Sequence, residues 1–275
     1  MTFIICEAAA THDGSLEKAL QLVEWSAEIG ASACKFQWLS SPERLAERRN
    51  AHDYLNAYRL LAFPRAWFRV LERRCAELRI EFMCTTYLPE DIHVVAPFVK
   101  RFKVSGFEAE DRHFVGLHGT WPDKALCISA ARGAFLSVSI EHWRRVVNVN
   151  NGGGPTCTVF HCVSAYPCPS DELNLRRLHP RWSRADHLQP RGFSDHSRHP
   201  WAGALAVAAG AVAVEFHMRL NDTSEKNADF AVARSPEEAR AYVANIREAD
   251  AMLGRGDNNA MPSEAPWAKY AVRGT

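Results

Sequence analysis

The chain has 275 residues, 47% of them hydrophobic and 24% charged, with a formal net charge of +1. That length suits one large α/β domain, since eight-stranded barrels run to about 250 residues as a single unit. Near-neutral charge excludes the basic footprint of a nucleic-acid or anionic-membrane partner, so an anionic ligand has to be held by local cations.

The start, MTFIICEAAATHDG, reads as a strand entering a polar turn, with no basic leader before an apolar core. No apolar run approaches the roughly 18 residues of a membrane helix, so a cytoplasmic protein is expected. SLEKALQLVEWSAEIG then places Leu16, Leu20, Val23 and Ala27 on one helical face, with Ser15 as N-cap, Glu17 in the first turn and Gly30 as stop. SACKFQ is the second strand. SSPERLAERRNAHDYLNAYRLLAFP, with Arg44, Arg48 and Arg49, reads as a solvated face, a lid or oligomer contact being the alternative. The helix PRAWFRVLERRCAELR precedes the strands IEFMCTT, VKRFKVS and ALCIS, and the helical signals near 110–119 and 138–148 are the weakest. TCTVFHC, LQPRGFSD and AVAVEFH complete eight strands, with WAGALAVAAGA as the helix between the last two. SPEEARAYVANIREADAMLG closes the pattern, with Ser235 as N-cap, Pro236 at the first helical position and Gly254 as stop. Cys6, Cys34, Cys84, Cys127, Cys157 and Cys162 sit inside apolar runs and no CxxC pair occurs, so reduced core thiols without structural zinc are expected.

Eight strand–helix alternations predict an α/β protein: a (β/α)8 TIM barrel of one domain over residues 1–254, with 255–275 as a tail. A doubly wound open sheet is the alternative. The polar residues favour the barrel, because almost every strand ends in groups capable of chemistry. They are Glu7; Lys35 and Gln37; Thr85; Lys103 with Glu108 just beyond; Ser129; Ser164 and Tyr166; Ser194, Asp195 and His196; Glu215 and His217. A closed barrel gathers all of those carboxyl ends at one mouth. His196 and His217, twenty residues apart, would then stand side by side, one helix and one strand separating them.

The segments IICEAAATHDG with KFQ, FHCVSAYPCPSDELNLRRL, GFSDHS and VEFHM resemble, in order, motifs of the sialic acid (N-acetylneuraminate) synthase family, over roughly residues 3–254. The resemblance implies a metal-dependent barrel that condenses phosphoenolpyruvate with an aldehyde, expected here to be sugar-derived, to give a 2-keto-3-deoxy acid and phosphate. By resemblance, Lys35 and Lys103 bind phosphoenolpyruvate, and Thr85, Ser105, Ser129, Ser164 and Ser194 add hydroxyls. Glu108 handles protons, Glu7 and Asp229 contact the acceptor with Gln37 and Tyr166 beside them, and His196 and His217 ligate a divalent Mn2+ or Mg2+. Glu215 and Asp195 are the expected partners behind the histidines. A homodimer acting on small molecules is expected.

The chain departs from that family in places. KVSGFE has Gly106 where a serine is usual, STP.D becomes CTTYL, and STGM becomes SAAR, which adds Arg132. MPSEAPWAKYAVRGT looks like the linker to the family's antifreeze-like domain, which lends an arginine to the partner subunit's acceptor. Arg132, Arg198, His199 and Arg219 are candidate substitutes for it. Two other readings stay open: a catalytically silent binding or regulatory homologue, and a metal-dependent barrel aldolase or isomerase that does not use phosphoenolpyruvate.

Overall fold

The computed structural model describes residues 1–130, 156–179, 191–254, 256–257 and 259–270. Its strands are β1 (Phe3–Ala9), β2 (Ala33–Gln37), β3 (Glu81–Thr85), β4 (Arg101–Val104), β5 (Ala125–Ala130), β6 (Cys157–Cys162), β7 (Gly192–Asp195) and β8 (Ala213–His217). They form a closed barrel in sequence order, every neighbour parallel and β8 pairing back onto β1. Closure leaves no unpaired edge, and the open-sheet alternative is discarded.

The described helices are α1 (Leu16–Glu28), α2 (Pro42–Arg49), α3 (Leu55–Leu61), α4 (Ala66–Glu77), α5 (Ile92–Val95), α6 (Arg112–Leu117), α7 (Ala202–Ala208) and α8 (Pro236–Leu253). The predicted ends hold. Ser15 accepts from Lys18 N, Gly30 takes φ +83°, and Ser235 and Glu238 form a reciprocal capping box ahead of Pro236. The helical signal at 138–148 lies outside the described residues, as does Arg132. The stretch Pro262–Tyr270 is a wholly exposed 3-10 turn.

Strand side chains alternate with period two between helix shell and barrel axis. Ile4, Cys6, Phe36, Phe82, Phe102, Ile128, Phe193 and Phe216 face outward into the large core beneath the helices. Ile5, Ala33, Met83, Cys127, Phe160 and Ala213 face inward and fill the axis. Phe160 takes the most room there: a Cβ built on Gly192 would lie 2.6 Å from its ring, so β7 can pass only as glycine. Two residues further along each strand, the same inward parity delivers Glu7, Lys35, Thr85, Lys103, Ser129, Cys162, Ser194 and Glu215. The apolar layer is the floor of the polar one.

The segment expected to be a solvated face is instead the pair α2 and α3, seated over the barrel mouth. Leu45 and Ala46 of α2 and Tyr58 and Leu61 of α3 pack with Ala10, Leu39, Tyr87 and Leu88 in a second apolar cluster. Arg44 stays at the surface, whereas Arg49 is drawn inward.

Candidate functional site

Parallel register sets the polar layer. Glu7 pairs with Lys35 on one side and His217 on the other, Gln37 with Thr85, Thr85 with Lys103, and Ser194 with Glu215. Glu7 accepts from Ala9 N at 2.8 Å through one oxygen, and from Lys35 and Gln37 through the other. Lys35 also donates to Thr85 Oγ1 at 3.1 Å. Lys103 donates to Ser129 Oγ at 2.7 Å and stands over the Phe160 ring, 5.5 Å from its centre. Both lysines are almost fully buried, at 2% and 4% exposure.

Glu215 lies between them. Its carboxylate is 3.5 Å from Lys103 Nζ and 3.8 Å from Lys35 Nζ, and it accepts from Ser194 Oγ at 3.3 Å. Burial would raise its pKa, but Lys103 and Lys35, ahead of His217 and His196, hold it well below the usual carboxylate range. Burial likewise opposes charge on Lys35, and Glu215 and Glu7 more than offset that, so it stays protonated. The lysines are counter-charged but not saturated: Glu215 Oε2 makes no hydrogen bond, and each ammonium has three donors to place.

The histidines meet as expected, their ring centres 5.6 Å apart at 65°. His196 Nδ1 is 2.7 Å from the Val163 carbonyl, which fixes the proton there and turns the Nε2 lone pair toward Tyr166 Oη, 3.2 Å away. Burial, then the neighbouring His217, lowers the His196 pKa to about 4. His217 has the opposite environment. Burial disfavours its charge, but Asp229, with Oδ1 3.3 Å from Nδ1, outweighs burial and raises its pKa. Asp229 is carried by the loop after β8, which is tied to the β1 turn by Asn227 Nδ2 donating to the Ala10 carbonyl at 2.8 Å.

These groups line a cavity of about 430 Å3. Of the residues singled out from the sequence, Glu7, Lys35, Gln37, Thr85, Lys103, Ser105, Ser129, Ser164, Tyr166, His196, Glu215, His217 and Asp229 reach its wall. Ser194 stands behind Glu215. Glu108 stands behind Arg49, whose Nε and Nη2 grip both carboxylate oxygens at 2.6–2.9 Å, and it also accepts from Ser105. The Ser105 hydroxyl therefore serves Glu108, and Gly106 beside it brings no hydroxyl to the wall.

Asp195 is not a partner of the histidines. Its strand parity points it outward, where it accepts from Arg234 at 2.9 Å, Tyr242 at 2.6 Å and the Ser197 backbone at 2.8 Å, anchoring α8. Nor do Arg198, His199 or Arg219 line the cavity: Arg198 pairs with Glu238, and Arg219 lies over Phe230. Arg49, read with its segment as a solvated face, is on the wall, and the wall residues missed in the sequence include Tyr54, Tyr58, Leu61 and Tyr87. Tyr54, Tyr58 and Leu61, spaced i, i+4, i+7, carried a helical signal that the flanking charges masked.

Among the described residues no group of three or more His, Cys, Asp or Glu side chains is arranged to hold a metal ion. The pair His196 and His217 still fits a divalent cation completed by other donors, because one ring presents a fixed Nε2 lone pair and the other faces it.

A profile of the NeuB family matches residues 22–258. The N,N'-diacetyllegionaminic acid synthase of Legionella pneumophila is 28% identical, the match covering 96% of this chain and 76% of that protein. The spore coat polysaccharide biosynthesis protein SpsE of Bacillus subtilis is 29% identical, over 92% of this chain and 69% of its own length. The crystal structure of N-acetylneuraminic acid (sialic acid) synthetase from Leptospira borgpetersenii, in complex with citrate, superposes with a TM-score of 0.83. It is 24% identical, over 98% of this chain and 90% of that one, and the likeness speaks to the barrel alone.

Proposed function

The chain belongs to the NeuB family, and from that premise we propose that it condenses phosphoenolpyruvate with a sugar-derived aldehyde, releasing phosphate and a 2-keto-3-deoxy acid. The observation that carries the reading is the pair of buried ammonium groups, Lys35 and Lys103, with donors left to place beside His196 and His217. A lysine is almost never this buried without an anion to bind or balance, and phosphoenolpyruvate brings two anionic ends.

Lys35, Lys103, Thr85 and Ser129 bind and orient the phosphate and carboxylate. C3 of the enol attacks the aldehyde carbon, water adds at C2, and phosphate leaves, so that phosphoenolpyruvate, aldehyde and one water balance against keto acid and phosphate. His196 and His217 would hold Mn2+ or Mg2+, and such a cation would supply Lewis-acid polarisation of the aldehyde oxygen. Glu7, Gln37, Asp229 and Tyr166 meet the acceptor's hydroxyls, whereas Glu108, held on both oxygens by Arg49 and away from the wall, is a support for Arg49 and not the proton-handling group expected from the sequence. The relatives named as acid sugar synthases support a role in carbohydrate biosynthesis. Among the described residues no helix is long and apolar enough to cross a membrane.

The test is a thermal titration with phosphoenolpyruvate and manganese, followed by phosphate release on a panel of aldehydes, with a chelator control. Binding at 100-fold over Kd should add about 2.7 kcal/mol to stability. No shift with phosphoenolpyruvate would sink the reading. Turnover that survives the chelator would remove the cation from it.

A further inference from the structure

The loop after β8, residues 218–235, carries Asp229 to the cavity, and its base is closed where Met218 bridges Arg234. The rest of it is stitched to the turn after β1. Thr11 Oγ1 donates to the Met218 carbonyl at 2.9 Å, Thr223 Oγ1 to the Thr11 carbonyl at 3.0 Å, and Ser224 N to Asp13 Oδ2 at 2.8 Å. Asp13 takes a left-handed φ of +50° and is counter-charged by Lys18 Nζ at 3.1 Å. At the centre of this seam is Asn227, 5% exposed. Its Nδ2 donates to Asp13 Oδ1 at 2.9 Å and to the Ala10 carbonyl at 2.8 Å, while its Oδ1 accepts from Asp229 N at 3.1 Å. Both donors and the acceptor of the amide are therefore used.

The bond to Asp229 N decides what His217 meets. Asp229 Oδ1 lies 3.3 Å from His217 Nδ1, which is buried and has no other hydrogen-bond partner among the described residues. At that length a small outward shift of Asp229 loses the contact. A carboxylate on Nδ1 keeps the proton there and leaves Nε2 as the nitrogen free to ligate. We propose that Asn227, anchored by Asp13, is the positioning residue that seats Asp229 against His217 and thereby sets how tightly the histidine pair holds a divalent cation. An amide is required because it donates to a carboxylate on one side and accepts a backbone N–H on the other, whereas a carboxylate in its place would face Asp13 with like charge. This rests on His196 and His217 being the cation ligands.

The experiment follows free Mn2+ by its electron paramagnetic resonance as the whole chain is titrated in. Wild type is compared with His217→Ala, Asn227→Ala, Asn227→Asp and the double variant Asp13→Asn with Asn227→Asp, each read well below its own ligand-free melting temperature. Asn227→Ala should raise the Mn2+ Kd about tenfold or more, the usual cost of removing a group that orients a metal ligand. Asn227→Asp should weaken binding at least as much. Adding Asp13→Asn to it rebuilds the amide–carboxylate pair with the donor on the other side, and should recover affinity about threefold or more. A loop that merely braces the fold would lower the melting temperature and leave the Mn2+ Kd of the folded protein unchanged, and that result overturns the proposal. So does a double variant that binds no more tightly than Asn227→Asp. A wild type that binds no Mn2+, or whose binding survives His217→Ala unchanged, strikes the cation reading itself, and this proposal with it.

Discussion

Lys35 stands at the centre of the site's charge balance, within ion-pair distance of Glu7 and Glu215, and all three are under 5% exposed. Its removal takes the paired cation from Glu7 and leaves Glu215 with Lys103. Lys35→Met should therefore destabilise the protein by about 3–5 kcal/mol, read from urea midpoints, because an uncompensated buried charge costs more than the pair contributes. The same variant should lose the shift with phosphoenolpyruvate. A stability within 1 kcal/mol of wild type, by the ordinary spread of surface substitutions of about 0.5 kcal/mol, would show that water reaches those carboxylates. At this scale the sequence was legible where strand parity and strand ends coincide, as for Lys35, Thr85, Ser129 and His217. Asp195 was misread because it is one position from an inward residue, and a one-residue step reverses the face.

At the level of elements, β6 and β7 are fitted to each other through one contact. The Phe160 ring occupies the space where a Gly192 side chain would be, with its Cβ at 2.6 Å. Neither strand can yield while hydrogen-bonded in a closed ladder. Gly192→Ala should cost about 1–3 kcal/mol by overpacking, and adding Phe160→Leu should return part of it. Equal losses in the single and double variants, compared by thermal unfolding, would place the strain elsewhere. The helices α1, α4 and α8 were readable because caps, stop signals and apolar faces agreed. The α2–α3 pair was not, because its arginines and acids match a surface helix, and only its seat over the mouth shows that Leu45, Tyr58, Leu61 and Arg49 face inward.

For the whole molecule, two histidines buried away from the site make stability depend on acid. His12 and His118 are both fully buried, and burial pushes each pKa down to about 4, a charge on Asp13 and backbone carbonyls near His118 only partly opposing it. Their folded pKa lies below the ordinary histidine value of 6.5. The unfolded chain therefore takes up protons first as pH falls, and the stabilisation present at pH 7 drains away between about 6.5 and about 4. Each should cost about 2 kcal/mol between pH 7 and pH 5. His118→Gln, followed by urea denaturation at both pH values, should lose that much less than wild type; parallel losses would clear His118 of the effect. The closed order of eight strands, the helices α1, α4, α7 and α8, the N-caps Ser15 and Ser235, and the polar residues at the strand ends were determined by the sequence, because periodicity, capping and strand length are local properties. The seat of α2–α3, the clamp of Arg49 on Glu108 and the outward role of Asp195 were decided only by tertiary structure. Each depends on which residues distant in sequence share a face, and local pattern carries no term for that.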